Sequence, residues 1–325
     1  MKYRLSILAT VCSVAIAVVL FLRSSGGPPT DFEAAAASGE VRGIPSPKAQ
    51  LGAAPLAAQE ESAPVSDTGS ISDDFERATD YLDFANSILE RGKNGDADAQ
   101  YYLYAALQYC DDSYRGFFRR ANKPTRTLDE ALLRVSTLEP AAMDAVRIAY
   151  ARCSRMFDGG SRALGTFDSW LKLATQGEQP VALVISATDM LSNAAPGIDR
   201  DAAMKAAEPM LMKALKSGNP EAMWGIGSLQ PLLSEDDDED TLREWAWILV
   251  ACQRGYDCEK SRWMEYGCRF DQQCVQDRDA IDFIRRMTDL GFPEVESRAK
   301  AINAKIDAKA WDELEREITG RREPD

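Results

Sequence analysis

The sequence has 325 residues and contains no histidine. This absence excludes Ser-His-Asp and Cys-His catalysis and imidazole-ligated zinc sites. Cys-x-x-Cys pairs are also lacking, which disfavours a thiolate metal site or a redox-active dithiol. No phosphate-binding glycine loop is present, because Gly159-Gly160 and Gly225-x-Gly227 lack the remaining pattern. We therefore predict no catalytic residue, no metal and no cofactor.

Basic residues are outnumbered, with 38 Lys and Arg against 52 Asp and Glu, and the net charge is −14. Such an acidic surface argues against nucleic acid as a partner and against docking on anionic lipid. The densest acidic run, Glu235 to Asp240, could bind calcium or a basic patch on a partner. Because it lacks the ligand spacing of a calcium loop, we interpret it as a solvated loop before a helix that begins at Thr241.

Charge is also absent from Leu5 to Leu22, a run of 18 residues that follows Lys2 and Arg4. This length approaches that of a membrane span and exceeds the usual core of a signal peptide. Residues 1–23 are therefore predicted to form a signal-anchor with a cytoplasmic N-terminus, through which alone the chain contacts the membrane. A cleaved signal peptide is the alternative.

Aromatic residues are scarce between positions 24 and 72, where Ala, Ser, Gly and Pro dominate and Phe32 is the one aromatic side chain. Such a segment cannot bury enough apolar surface to become ordered, so residues 24–72 are predicted to be a disordered linker. Aliphatic and aromatic residues become frequent from Asp73 onward, and residues 73–325 are predicted to form one helical repeat domain.

A recurring glycine pattern dominates that domain. Each glycine has an apolar residue seven places before it, a small or aliphatic one four places after it, and another apolar one eight places after it. The glycines are Gly95, Gly177, Gly218, Gly255 and Gly291, separated by 82, 41, 37 and 36 residues. The copy at Gly255 is degenerate, since Glu259 takes an apolar position. Apolar residues follow helical spacing on both sides, as from Phe75 through Leu82 to Ile88. Each unit is therefore predicted to be helix, turn and helix, with the glycine in the left-handed conformation that ends the first helix.

The first gap is close to two periods, which predicts a hidden copy between residues 120 and 155. Its turn is placed at Leu138-Glu139-Pro140, with Val146 and Tyr150 in the second helix. A single helix pair cannot bury its apolar face, so neighbouring pairs must stack. The predicted fold is all-α, an α-solenoid of about six hairpins preceded by the N-terminal hydrophobic helix. An irregular helical bundle is the alternative.

The segment Gly95 to Tyr109, GDADAQYYLYAALQY, resembles the SEL-one-like repeat, a relative of the tetratricopeptide repeat. Lys216 to Leu229, KSGNPEAMWGIGSL, is similar to it as well. The segment from Ala251 to Cys258 resembles the cysteine-bearing variant of secreted bacterial proteins. The resemblance covers residues 80 to 310 and implies a protein-binding solenoid in a bacterial-type cell envelope. It implies no catalytic residue.

Six of the seven cysteines lie in the predicted helical domain, and an even number beyond an export signal is typical of disulfides in an oxidising compartment. Two pairs share a spacing of six residues, Cys252 with Cys258 and Cys268 with Cys274. Cys110 and Cys153 remain as the third pair. Six free thiols are the alternative.

Aromatic side chains cluster in the helix after Gly95, at Tyr101, Tyr102, Tyr104 and Tyr109. Aromatic residues at helical spacing are more often part of the core. Tyr101, Tyr102 and Tyr104, however, are too close in sequence to lie on one face of the helix. One side of this helix could therefore line a concave peptide-binding surface.

The function predicted from these features is a non-catalytic adaptor or scaffold of the cell envelope that binds an unidentified protein or peptide. Two alternatives stay open. One is an enzyme with an unrecognised carboxylate or cysteine site on a helical scaffold, and the other is a purely structural periplasmic spacer. A carboxylate-lined deep pocket would favour the enzyme, and a concave groove with exposed aromatics would favour the adaptor.

Overall fold

The computed structural model describes residues 70–119, 127–135, 140–157, 160–194, 198–233, 237–258, 280–288 and 291–319. Within these ranges the chain is all-α, with thirteen α-helices and no strand, as the periodicity predicted. The predicted linker up to residue 69, the hydrophobic run Leu5 to Leu22 and the pair Cys268 and Cys274 lie outside the described residues. None of the described helices combines the length and the hydropathy needed to cross a membrane.

The helices are numbered here in chain order. They are α1 Ile71–Arg77, α2 Tyr81–Lys93, α3 Ala97–Ser113, α4 Leu128–Val135, α5 Pro140–Phe157, α6 Phe167–Gln176, α7 Pro180–Asn193, α8 Ile198–Lys216, α9 Pro220–Leu233, α10 Asp237–Gln253, α11 Ala280–Thr288, α12 Phe292–Asp307 and α13 Trp311–Thr319. A π-helical turn, Tyr114–Phe118, extends α3, and a 3-10 turn, Gly160–Leu164, precedes α6.

The first predicted helix is divided in two. The apolar spacing suggested one helix from Phe75 to Ile88, but the chain leaves helical geometry at Ala78, which ends α1. The side chain of Asp80 then caps α2 by accepting hydrogen bonds from the backbone N–H groups of Leu82 and Asp83. A capping carboxylate competes with helix continuation, and this competition is invisible to apolar periodicity.

The predicted left-handed glycines occur at three of the five turns. Gly95, Gly218 and Gly255 have φ values of 91°, 74° and 103°. Gly177 ends α6 with an ordinary φ, and Glu178 adopts the left-handed conformation in its place. At Gly177 the glycine is explained by close packing instead, because an added Cβ would lie 2.7 Å from the Cβ of Ala97.

The fifth glycine, Gly291, precedes α12 with a φ of −83°, so it too departs from the predicted geometry. It packs near Leu242, whose side chain would lie 3.2 Å from an added Cβ. The same region corrects the expected start of α10. That helix begins at Asp237, not at Thr241, so residues 237–240 belong to its first turn.

The apolar positions of the repeat form the core. All five residues seven places before the glycines, and the small or aliphatic residues four places after four of them, are buried between helices, with little or no exposed surface. They are Ile88, Trp170, Leu211, Ile248 and Ile284 in the first helices, and Ala99, Val181, Ala222 and Val295 in the second ones. One continuous core cluster includes all of these side chains.

The helices pack mainly against their neighbours in the chain. Contacts join α2 with α3, α6 with α7, α7 with α8, α9 with α10, and α10 with α12. The hidden copy does not follow this order, because α3 packs directly on α6 and the α4–α5 pair is not interposed. Helix α5 instead packs against α2 and α3, while Phe118, Ala131 and Val146 form a small separate core with the π-helical turn.

Candidate functional site

A groove of about 880 Å³ lies where the turn ends of four hairpins meet. Its lining comes from α1, from Arg91 of α2 and Arg152 of α5, from the first half of α3, from the turns that precede α7 and α9, and from the loop that follows α10. The turns are places where the glycine pattern recurs, whereas α1 and Arg152 lie outside that pattern.

Capping side chains shape the hairpin turns at the groove. Gln179 accepts a hydrogen bond of 2.8 Å from the N–H of Ala182, and Asn219 accepts one of 2.9 Å from the N–H of Ala222. Asp96 does the same for α3 through the N–H of Ala99, at 3.1 Å. These three caps satisfy N–H groups that the start of a helix otherwise leaves unpaired.

The carboxyl of Asp96 is perturbed by this role. Its partial burial acts to raise the pKa, but the N–H of Ala99 and the Arg91 guanidinium hold the anionic form, and on balance the pKa is lowered. Arg91 lies 2.8 Å from Asp96 and connects the end of α2 with the turn. The capped, ionised carboxylate therefore holds the α2–α3 turn in place.

A hydrogen bond joins two hairpins that are distant in sequence. The hydroxyl of Tyr101 on α3 donates to the carboxylate of Glu221 on α9 at 2.7 Å, although the residues are 120 positions apart. Tyr101 is buried, while Glu221 is partly exposed and lines the groove. This bond joins α3 to α9 beside the groove.

The tyrosines of α3 occupy the core, which is the more common position for aromatic residues at helical spacing. Tyr101, Tyr102, Tyr104 and Tyr109 are all buried, so they belong mainly to the core. Tyr102 still reaches the groove lining, but the more exposed aromatic side chain there is Tyr256, next to Gly255. Its ring lies 4.9 Å from that of Trp224 on α9. The one sequence signal that could have indicated Tyr256 was its position directly after the predicted turn glycine Gly255.

Cys252 and Cys258 hold the loop that carries Tyr256. Their sulfurs are 1.93 Å apart, which is the pairing expected from their spacing around Gly255. The N–H of Tyr256 also donates to the carbonyl of Ala251, just before Cys252, at 3.0 Å. The loop forms one wall of the groove and is attached covalently to the end of α10.

Cys110 and Cys153 are also at bonding distance, with sulfurs 2.01 Å apart, as expected from the sequence. This bond joins α3 with α5 and is buried in the core, away from the groove lining. The two disulfides are compatible with an oxidising compartment.

Arginine side chains at the groove are engaged within the protein. Arg77 pairs with Asp74 at 2.9 Å. Arg152 donates to the carbonyl oxygens of Ala78 and Glu76, both at 3.1 Å, and its guanidinium lies over the ring of Tyr81. These bonds position α1 along the edge of the groove.

Two other regions carry perturbed acids. Burial of the Glu244 carboxyl on α10 raises its pKa to about 7, although the residue as a whole is partly exposed. On α7, burial and then the charge of Asp168 raise the pKa of Asp189. The pKa of the buried Tyr104 is raised as well, first by desolvation and then by Asp189 and other carboxylates.

Neither region forms a metal centre. In the part of the chain that the structure describes, no group of three or more Cys, Asp and Glu side chains could hold a metal ion. Glu244 and Asp189 are also absent from the groove lining. Comparisons with protein-family models, with curated proteins and with solved structures find no match to this chain.

Proposed function

We propose that this chain is an α-solenoid adaptor of the cell envelope that binds a protein partner in the groove and carries out no catalysis. The resemblance of Gly95 to Tyr109 to a SEL-one-like repeat supports the solenoid. The paired cysteines support an oxidising compartment, and the uncharged run near the N-terminus supports an envelope location.

The observation that carries this proposal is the convergence of equivalent turns on one groove. The groove has the volume of a ligand-binding site, a partly exposed tyrosine and several polar side chains. Its carboxylates come from four separate elements, which are α1, the starts of α3 and α9, and the α10 loop. This arrangement suits recognition better than acid–base chemistry.

Site-specific photo-crosslinking in the full-length chain tests the proposal. A photoreactive phenylalanine analogue replaces Tyr256 in the groove, and a matched variant carries it at Met190, an exposed apolar residue near the opposite end of α7. We expect a reproducible adduct with one partner protein from position 256, reduced by excess unlabelled wild-type chain, and none from position 190. Identical adducts from both positions, or no adduct from position 256, would contradict the adaptor function.

A further inference from the structure

We infer that the groove takes a segment of the partner protein that carries lysine or arginine side chains. This inference rests on the proposed adaptor function and adds the chemistry of the partner. It is derived from the balance of charge along the groove, because the lining acids outnumber the lining bases and most of the bases are already neutralised.

Five carboxylates and three arginines line the groove. Two of the arginines, Arg77 and Arg91, pair with Asp74 and Asp96, which are acids outside that set of five. Asp73 and Asp98 are exposed and form no ion pair with any described residue. Through Asp73 and Asp98 the groove therefore presents uncompensated negative charge to an occupant.

The starts of α3, α7 and α9 oppose this negative charge, because the N-terminus of a helix carries about half a positive elementary charge. Three such ends amount to roughly one and a half charges. Their N–H groups are also partly occupied by the caps Asp96, Gln179 and Asn219. The unpaired carboxylates therefore outweigh the helix ends, and a cationic occupant is favoured over an anionic one.

An extended segment fits this site better than a single cation. The two exposed acids come from separate elements, with Asp73 on α1 and Asp98 on α3. A chain with more than one basic side chain can reach both of them at once, while its apolar atoms contact Tyr102 and Tyr256.

Peptide binding by the full-length chain in detergent tests this inference. The probes are fluorescent peptides of equal length, composed of Ala, Gly, Ser and Leu, with three lysines, three glutamines or three glutamates at the same positions. We expect the lysine peptide to bind about tenfold more tightly than the glutamine peptide at low salt, and the difference to shrink at high salt. Equal affinity for the three peptides would overturn the inference.

The carboxylates are tested with Asp73→Asn combined with Asp98→Asn. The expected loss for the lysine peptide is about tenfold, which corresponds to two exposed ion pairs. The matched control is Asp199→Asn with Asp312→Asn, because these exposed residues also lie in the first turns of helices but outside the groove. Equal losses in both double variants would mean that only the overall charge matters, and would contradict a groove site.

The two proposals fail in different ways. If the adduct formed at position 256 maps to a partner segment without Lys or Arg, the adaptor function stands and the charge inference is wrong. If no adduct forms there, both are wrong. Support requires an adduct on a basic segment, together with weaker binding by the variant with Asp73→Asn and Asp98→Asn.

Discussion

The two disulfides differ in what they hold together. Cys110 and Cys153 are 43 positions apart and join α3 with α5, and both are buried, at 3% and 0% exposure. Cys252 and Cys258 are six positions apart and close one loop at the wall of the groove. The first bond links two hairpins of the fold, whereas the second constrains only the turn that carries Tyr256.

Loop length sets how much each bond limits the unfolded chain. In the chain-entropy description, closing 43 residues is worth about 4 kcal/mol and closing six about 2 kcal/mol. The longer bond also attaches the α4–α5 pair, which has its own small core. We therefore expect the Cys110–Cys153 bond to act on global stability and the Cys252–Cys258 bond to act on the groove.

The largest expected effect follows from removing the longer bond. Cys110→Ala combined with Cys153→Ala should lower the free energy of unfolding by about 4 kcal/mol, because the unfolded chain regains the freedom of a 43-residue loop. Urea denaturation of the oxidised chain measures this change. Since domains are often stable by only about 5–15 kcal/mol, the α4–α5 pair should also become sensitive to proteolysis.

Reduction provides the control for this variant. A dithiol reductant should destabilise the wild-type chain by more than it destabilises the Cys110→Ala, Cys153→Ala variant. If both variant and wild type unfold at the same urea concentration under oxidising conditions, the bond carries no stability and the comparison fails.

The next largest effect should be a pH dependence of the free energy of unfolding that arises from α10. Glu244 lies on α10, the helix that bears Cys252, and its pKa is raised from 4.5 to about 7. Between these values the folded state holds a proton that the unfolded chain has lost, so the free energy of unfolding falls as the pH rises. Glu244→Gln removes the ionisable group and should be more stable than wild type by about 3 kcal/mol at pH 8, with little difference near pH 4.

Thermal or urea unfolding across this pH range measures the difference, and Glu296→Gln, at an exposed site on α12, is the control. A wild-type curve parallel to that of Glu244→Gln at every pH would show that the buried carboxyl does not titrate as expected. The Cys110–Cys153 bond does not titrate, so its contribution to stability should stay constant over the same range.

Much of the fold could be predicted because burial and local turns leave local signals. The spacing of Ile88, Ala99 and Leu103 around Gly95 follows directly from helices packed on one face. The partner of Cys252 was also predictable, since a separation of six residues leaves little choice. The break at Ala78 was not predicted, because the capping carboxylate of Asp80 competes with helix continuation there, and the start of α10 was predicted at Thr241 instead of Asp237.

The groove could not be predicted in the same way. The bond between Tyr101 and Glu221 joins residues 120 positions apart, and nothing local to either residue indicates the other. The direct contact of α3 with α6 likewise depends on how the α4–α5 pair is set aside by its own small core. Such arrangements sum many weak contacts between distant segments, whereas sequence patterns mainly report on neighbours.

The smallest expected effect tests the other half of the comparison. Cys252→Ala combined with Cys258→Ala should lower the free energy of unfolding by about 2 kcal/mol at most. Its main consequence should be local, because the loop then depends on the backbone hydrogen bonds from Gly255 to Cys252 and from Tyr256 to Ala251. Hydrogen exchange should accelerate at residues 254–258 and stay unchanged in α2, and the photo-crosslink from position 256 should weaken. A uniform increase in exchange across all helices would instead make this bond a second global restraint, and would remove the distinction between a bond that holds the fold and one that holds the groove wall.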